Sequence, residues 1–348
     1  MPAVSGTRHL SGPETPAAMR RLVADLFRVR PAIYWADFLA SAAVGWGAFG
    51  LSLGAAGGAR AAWTVLAALA LYRAVIFTHE LTHLKRGAVP GFLWTWNLLC
   101  GIPFMVPSFM YRGVHSAHHV KTLYGTDADG EYLPFAARHP VHIVVYLASH
   151  LVLPPLAALR FVVLAPLSLL HPRLRRLVMR RASSLAIDAA YVRDLPRGRE
   201  LRDARLQEAG AFAFGAGVLG MVAAGPWPAV LLVQWYAVAV LILLVNAVRT
   251  LAAHRYRNTG GPLPFLEQIR DSINVTGQPL LMALVAPLGL RYHALHHLFP
   301  SLPYHGLGAA HRRLVAALPA DSWYHDCNRD GLGQVLADLW RAARRNGS

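Results

Sequence analysis

Residues 227–248, Trp-Pro-Ala-Val-Leu-Leu-Val-Gln-Trp-Tyr-Ala-Val-Ala-Val-Leu-Ile-Leu-Leu-Val-Asn-Ala-Val, run without one charged or imidazole side chain. A bilayer core takes about 20 such residues as a helix, because each backbone N–H and C=O is then paired inside the segment. Residues 33–57, 61–78 and 210–224 are also largely apolar, although Asp37 lies in the first and Arg73 in the second. The four runs fall in two pairs, each joined by a short turn: Gly54 to Gly58 in one, Gly225-Pro226-Trp227-Pro228 in the other. Each pair is therefore expected to be an antiparallel hairpin that returns the chain to the side it left. The expected fold is all-α and integral to a membrane, with four transmembrane helices in two hairpins.

The other apolar runs are too short or too broken to cross. Residues 92–107 carry Pro103 and Pro107 and predict a re-entrant or interfacial segment; Val141 to Leu170 is interrupted by Pro154, Pro155, Arg160 and Pro166 and predicts a broken hairpin or interfacial layer. Leu280 to Leu290 is short enough to lie at the interface. Gly50, Gly54 and Gly58 recur at helical spacing and predict a face of close helix approach.

Lys plus Arg outnumber Asp plus Glu by 34 to 18, for a formal charge of +16. Beside apolar spans such an excess marks cytoplasmic loops facing anionic lipid, not a nucleic-acid surface. This places residues 1–30 as a cytoplasmic leader, 31–310 as the membrane domain and 311–348 as a cytoplasmic tail, in a multi-pass protein of a bacterial inner membrane. The only two cysteines, Cys100 and Cys327, offer no paired spacing, so any metal is held by other side chains.

Histidine supplies them. His79 and His83 stand in His-Glu-Leu-Thr-His, an i, i+4 pair on one helix face. His115, His118 and His119 form His-Ser-Ala-His-His, and His293, His296 and His297 form His-Ala-Leu-His-His. His254 stands alone just past the last span. All nine follow the same-side ends of apolar segments, and nine imidazoles exceed what one ion coordinates, whereas two ions use them all. Imidazole suits iron, copper, zinc and nickel alike, so ligand type does not choose the metal.

His-Glu-x-x-His is also the zinc metalloprotease signature, with the glutamate activating water; that reading leaves the other two clusters without a role. Glu80 is otherwise expected to orient a ligand imidazole, and Asp127, Asp129, Glu131 and Asp271 are candidates for the same work. Glu80 and Asp271 are the acids placed at the catalytic site.

With these residues in hand, the chain resembles the membrane fatty acid desaturase superfamily of acyl desaturases, acyl and alkane hydroxylases, and carotenoid hydroxylases or ketolases. His79 to His83 is similar to its first histidine box, and His115 to His119 and His293 to His297 to its two H-x-x-H-H boxes. The resemblance implies a four-span helical fold with a cytosolic helical cap holding a di-iron site, with O2 as co-substrate. It also implies that His254 completes the ligand set within an Asn-x-x-x-His element, where this chain has Thr250 in the asparagine position. His297-Leu-Phe-Pro-Ser-Leu-Pro is similar to acyl-lipid desaturases, which tilts the expected reaction toward inserting a double bond in a lipid acyl chain, with hydroxylation or ketolation as the alternative. No dinucleotide fingerprint or iron-sulfur pattern is present in the sequence. The resemblance therefore implies an external electron donor, a ferredoxin or cytochrome b5 type with its reductase, for which the basic block Arg173 to Arg205 is a docking candidate.

Overall fold

The computed structural model describes residues 14–347; residues 1–13 of the expected leader lie outside the described residues. Among the described residues, four helices are long and apolar enough to cross a membrane: Pro31–Gly54, Gly57–His83, Gly198–Ala223 and Val230–Leu251. Pro31 opens the first, at a position where its missing N–H is no loss. That helix stops at Gly54, short of the expected 57, and only Ala55 and Ala56 separate it from the next. The second runs past the expected end at 78, bending at Ile76 into Phe77–His83. The third begins at Gly198, not 210, because its opening turns carry Glu200, Arg202 and Asp203 and hydropathy does not see them.

The first two spans pack tightly at Gly45, where an added Cβ would come within 2.5 Å of Leu71 Cγ. Gly50, Gly54 and Gly58 do not perform this role: nothing lies within 4 Å of a Cβ at any of them, and all three are exposed. Their spacing puts them on the outer face. Asp37 in the first span is matched by Arg73 in the second through a bidentate pair, Nε to Oδ1 at 2.7 Å and Nη2 to Oδ2 at 2.6 Å. A charge between spans is tolerated when paired in this way.

Residues 92–107 form the short helix Phe92–Trp96 and a π turn Asn97–Gly101. Buried Asn97 satisfies the irregular backbone there, its Oδ1 accepting from Ser108 N at 2.9 Å and its Nδ2 donating to Leu93 O at 2.7 Å. Val141–Ser149 and Leu153–Ser168 form one apolar layer bent by 53°. The segments placed outside the membrane domain are folded. In the described part of the leader, Met19 and Val23 are wholly buried on one face of a short helix. In the tail, Leu332–Asn346 packs Val335, Leu339 and Ala343 inward. An apolar stripe with helical spacing accounts for both. Two two-residue strands, Asn274–Val275 and Asn328–Arg329, pair in parallel and tie the tail to the loop before the third histidine box.

Candidate metal centre

The bent continuation of the second span, Phe77–His83, carries His79 and His83. Helix Phe109–His118 carries His115 and His118, with His119 as its C-cap, and His293–Leu298 carries the third box. His254 follows the fourth span and is fixed by a bridge to Ser272. The fold brings all nine together in two groups: His79, His83, His115, His119 and His296, and His118, His254, His293 and His297. Within each group the ligand atoms lie within 4.8 Å of one another. The groups abut, with the His119 and His297 rings stacked 4.4 Å apart.

The residues fit metal ions by their own geometry. In the first group the Nε2 atoms of His83 and His115 are 2.8 Å apart, of His119 and His115 3.2 Å, and of His296 and His119 3.1 Å. In the second, His118 and His254 are 3.2 Å apart, His293 and His254 2.9 Å, and His297 and His293 3.0 Å. Metal–nitrogen bonds of about 2.0–2.1 Å set nitrogens on one ion at such spacings. The outward nitrogens of His115, His118 and His254 are already engaged. His118 Nδ1 donates to Asp129 Oδ2 at 2.8 Å, and His115 Nδ1 faces the Glu131 carboxyl and, at 3.0 Å, the Tyr111 hydroxyl. A proton held on Nδ1 leaves the Nε2 lone pair pointing inward. Inward lone pairs about 3 Å apart repel one another until a cation lies between them. His79 is 2% exposed and, among the described residues, neither ring nitrogen has a hydrogen-bond partner. A metal bond relieves that burden, which costs roughly 1–3 kcal/mol for each stranded polar group.

Burial holds His115, His119, His254, His293, His296 and His297 well below the ordinary imidazole range, so they are neutral, as ligation requires. Burial acts on His118 in the same direction, but the surrounding carboxylates, Asp129 first and then Glu131 and Asp271, together raise the imidazole. Burial pushes the Glu131 carboxyl up to about 7 and raises Asp271.

Of the acids singled out in the sequence, Asp129 and Glu131 touch ligand imidazoles and Asp127 is exposed. Asp271 acts at one remove. Its Oδ2 is 4.0 Å from His254 Nδ1 and instead accepts from the Tyr124 and Tyr132 hydroxyls at 2.9 and 2.8 Å. His254 Nδ1 donates to the Tyr124 oxygen at 2.9 Å and lies 3.2 Å from Ser272 Oγ. Glu80 does not hold an imidazole: its Oε1 is 3.7 Å from His79 Nδ1, while Oε2 accepts from Tyr34 OH at 2.5 Å and Tyr304 N at 3.3 Å. It ties the first span and the helix after the third box to the first box. Both contacts fall on Oε2; what speaks against the protease reading is the gathering of nine imidazoles in two groups, where a single catalytic zinc takes about three protein ligands. Sequence reasoning missed Tyr111, Tyr124, Tyr132 and Ser272: Tyr111 stands four residues before His115 on the same helix, a spacing that could have found it, whereas the other three lie outside helices and carry no such signal. Thr250 Oγ1 accepts from Arg249 Nη2 at 3.1 Å.

Between the second and fourth spans and the bent layer lies a cavity of about 520 Å³, whose wall includes Met110 of the helix that carries His115 and His118. Val75, Phe104, Met105, Met110, Ala239 and Ile242 make most of its wall apolar.

The model of the fatty acid desaturase family matches residues 58–328. Over 333 residues the chain is 42% identical to a protein of Caulobacter vibrioides (strain NA1000 / CB15N) named ceramide hydroxylase, an alignment that covers 93% of this chain and 92% of that one. No solved structure matches.

Proposed function

The chain belongs to the fatty acid desaturase family, and from that premise we propose that it is a membrane di-iron oxygenase that hydroxylates a ceramide-type lipid. The observation that carries the choice is the 42% identity, over nearly the whole of both chains, to a ceramide hydroxylase. The Leu-Phe-Pro-Ser-Leu-Pro segment after His297, which favoured double-bond insertion, is a short loop signal and is outweighed by likeness along 333 residues. Hydroxylation converts one C–H bond, O2, two electrons and two protons into C–OH and water.

In this reading the nine histidines hold two irons, five imidazoles on one and four on the other. Bound iron supplies the activation of O2 and the removal of hydrogen from an unactivated carbon. The chain's own residues do the rest. Asp129 and Glu131 fix two ligand imidazoles, Tyr124 transmits the Asp271 charge to His254, and the apolar cavity receives the chain and excludes water. All-imidazole ligation suits iron without selecting it, so the family supplies the metal's identity.

Electrons come from an external donor. The groove lined by Arg173, Arg176, Arg180, Arg181 and Arg197 shares no residue with either histidine group. A cap cavity of about 460 Å³ has His254 in its wall and Arg255, Arg257, Arg329, Arg341 and Arg345 around it. We favour this second basic surface for an acidic donor, because it joins charge steering to a short path. The arginine-rich end of the bundle is read as cytoplasmic. The test is the purified, iron-loaded chain with a reducing system, O2 and ceramide. Mass spectrometry should find lipid heavier by one oxygen. Lipid lighter by two hydrogens would restore the desaturase reading, and unchanged lipid would remove both.

A further inference from the structure

The apolar cavity has one end that is not apolar. Arg160 is 4% exposed and lines it. Most of the guanidinium is committed: Nε donates to Ala182 O at 2.9 Å, and Nη2 to Ser183 Oγ and Glu208 Oε1, both at 2.7 Å. The remaining nitrogen, Nη1, is buried with no hydrogen-bond partner among the described residues. Ser184, in the same wall, has a buried Oγ that is likewise without a partner. Glu208 also pairs with Arg175 at 2.5 Å, so one carboxylate is shared by two guanidinium groups and this end stays cationic. Tyr146, Ser149, His150 and Arg181 also line the cavity, but Arg160 Nη1 and Ser184 Oγ are the stranded groups of a mostly apolar wall, a mismatch that a ligand oxygen would repair.

The same wall runs on toward the metal-holding loop. Leu185 N donates to Met110 O at 3.0 Å, on the helix that carries His115 and His118. Ile187 N donates to Gly130 O at 2.8 Å, between Asp129 and Glu131. We infer that Arg160 Nη1 and Ser184 Oγ bind the oxygen-bearing end of the lipid while its chain fills the apolar length of the cavity. This rests on the lipid-oxygenase reading and narrows it: the ligand is an amphiphile with acceptor oxygens at one end, not a bare hydrocarbon. An amide or hydroxyl group and a phosphate share that chemistry.

The test uses full-length, metal-loaded protein in detergent and measures equilibrium binding of radiolabelled ceramide, ceramide phosphate and a long-chain n-alkane. Arg160→Lys keeps a cation for Glu208 but removes Nη1; Ser184→Ala removes the hydroxyl. Losing both partners should weaken the preferred oxygen-bearing probe by about tenfold or more, with alkane binding and metal content unmoved. Preference for ceramide assigns the oxygens to amide and hydroxyl, and preference for ceramide phosphate to phosphate; either upholds the inference. It is overturned if the double variant weakens all three probes equally, if it weakens none, or if the wild-type chain binds alkane as tightly as the amphiphiles. Should wild-type protein bind ceramide selectively yet leave it unoxidised, the proposed reaction falls while this site stands.

Discussion

The two H-x-x-H-H boxes divide their ligands in reciprocal fashion. The second box sends His115 and His119 to the group of five and His118 to the group of four; the third sends His293 and His297 to the group of four and His296 to the group of five. Helix geometry explains the split. Positions i and i+4 sit about 40° apart around the axis, whereas i+3 and i+4 are about 100° apart and face different centres. What breaks the balance is the remainder: the first box gives two imidazoles to one group, and His254 alone completes the other. The smaller group is also held by more polar contacts, to Asp129, Tyr124 and Ser272, and by way of Tyr124 to Asp271. Fewer ligands in a stiffer frame is the lesson of the comparison.

The largest test of that division removes one ligand from each group. His296→Ala should strip metal from the group of five and His118→Ala from the group of four, each leaving about one ion per chain and no detectable turnover. Elemental analysis of purified membrane protein, with circular dichroism to verify the helices, reads both. If either variant loses both ions, the groups are one interdependent site and the division fails.

Next come the acids. Partners of ligand imidazoles typically contribute about 10–100-fold in metal affinity or activity. Asp129 does more than hold His118: its Oδ2 accepts from Gly125 N at 2.8 Å and its Oδ1 from Glu131 N at 3.0 Å, so it shapes the loop that also presents Glu131. Asp129→Asn should therefore fall near the top of that range and Glu131→Gln nearer the bottom, measured by metal retention against a chelator. The reverse order would make the group of five the more tightly framed one.

Much of this was legible before any coordinates. The histidines announce themselves because a helix turns i, i+3 and i+4 spacing into a shared face, and residues 227–248 announce a span because no soluble packing hides them as well. The allotment of ligands between two groups was not legible, since it depends on how three short helices face one another. Nor was Glu80, whose place in His-Glu-x-x-His suggests a role at the metal while Tyr34 and Tyr304, both remote in sequence, claim its carboxylate. Gly45 was passed over for Gly50, Gly54 and Gly58 because spacing marks a face without saying what lies opposite. The charged opening of the helix at Gly198 lay hidden because hydropathy reports the membrane, not the helix.

Tyr124→Phe probes the link between His254 and Asp271. It removes the hydroxyl that accepts from the imidazole and donates to the carboxylate, leaving Asp271 with Tyr132 alone of its two tyrosine partners. A hydrogen bond to a charged group is worth about 1.5–3 kcal/mol, so metal retention in the group of four should drop about tenfold or more while the group of five keeps its ion.

The mildest change is Ser272→Ala. Ser272 Oγ lies 3.2 Å from His254 Nδ1, farther than the Tyr124 hydroxyl, and already donates to Gln268 O at 3.1 Å. With Tyr124 still in place the imidazole keeps its proton on Nδ1, and the lost contact is an ordinary neutral one worth about 0.5–1.5 kcal/mol. Metal retention should fall about two- to tenfold, below the effect of Tyr124→Phe in the same chelator competition. Equal losses would mean that the bridge joining His254 to Ser272, not the carboxylate behind Tyr124, is what orients this imidazole, and the stiffness of the smaller group would then belong to its backbone.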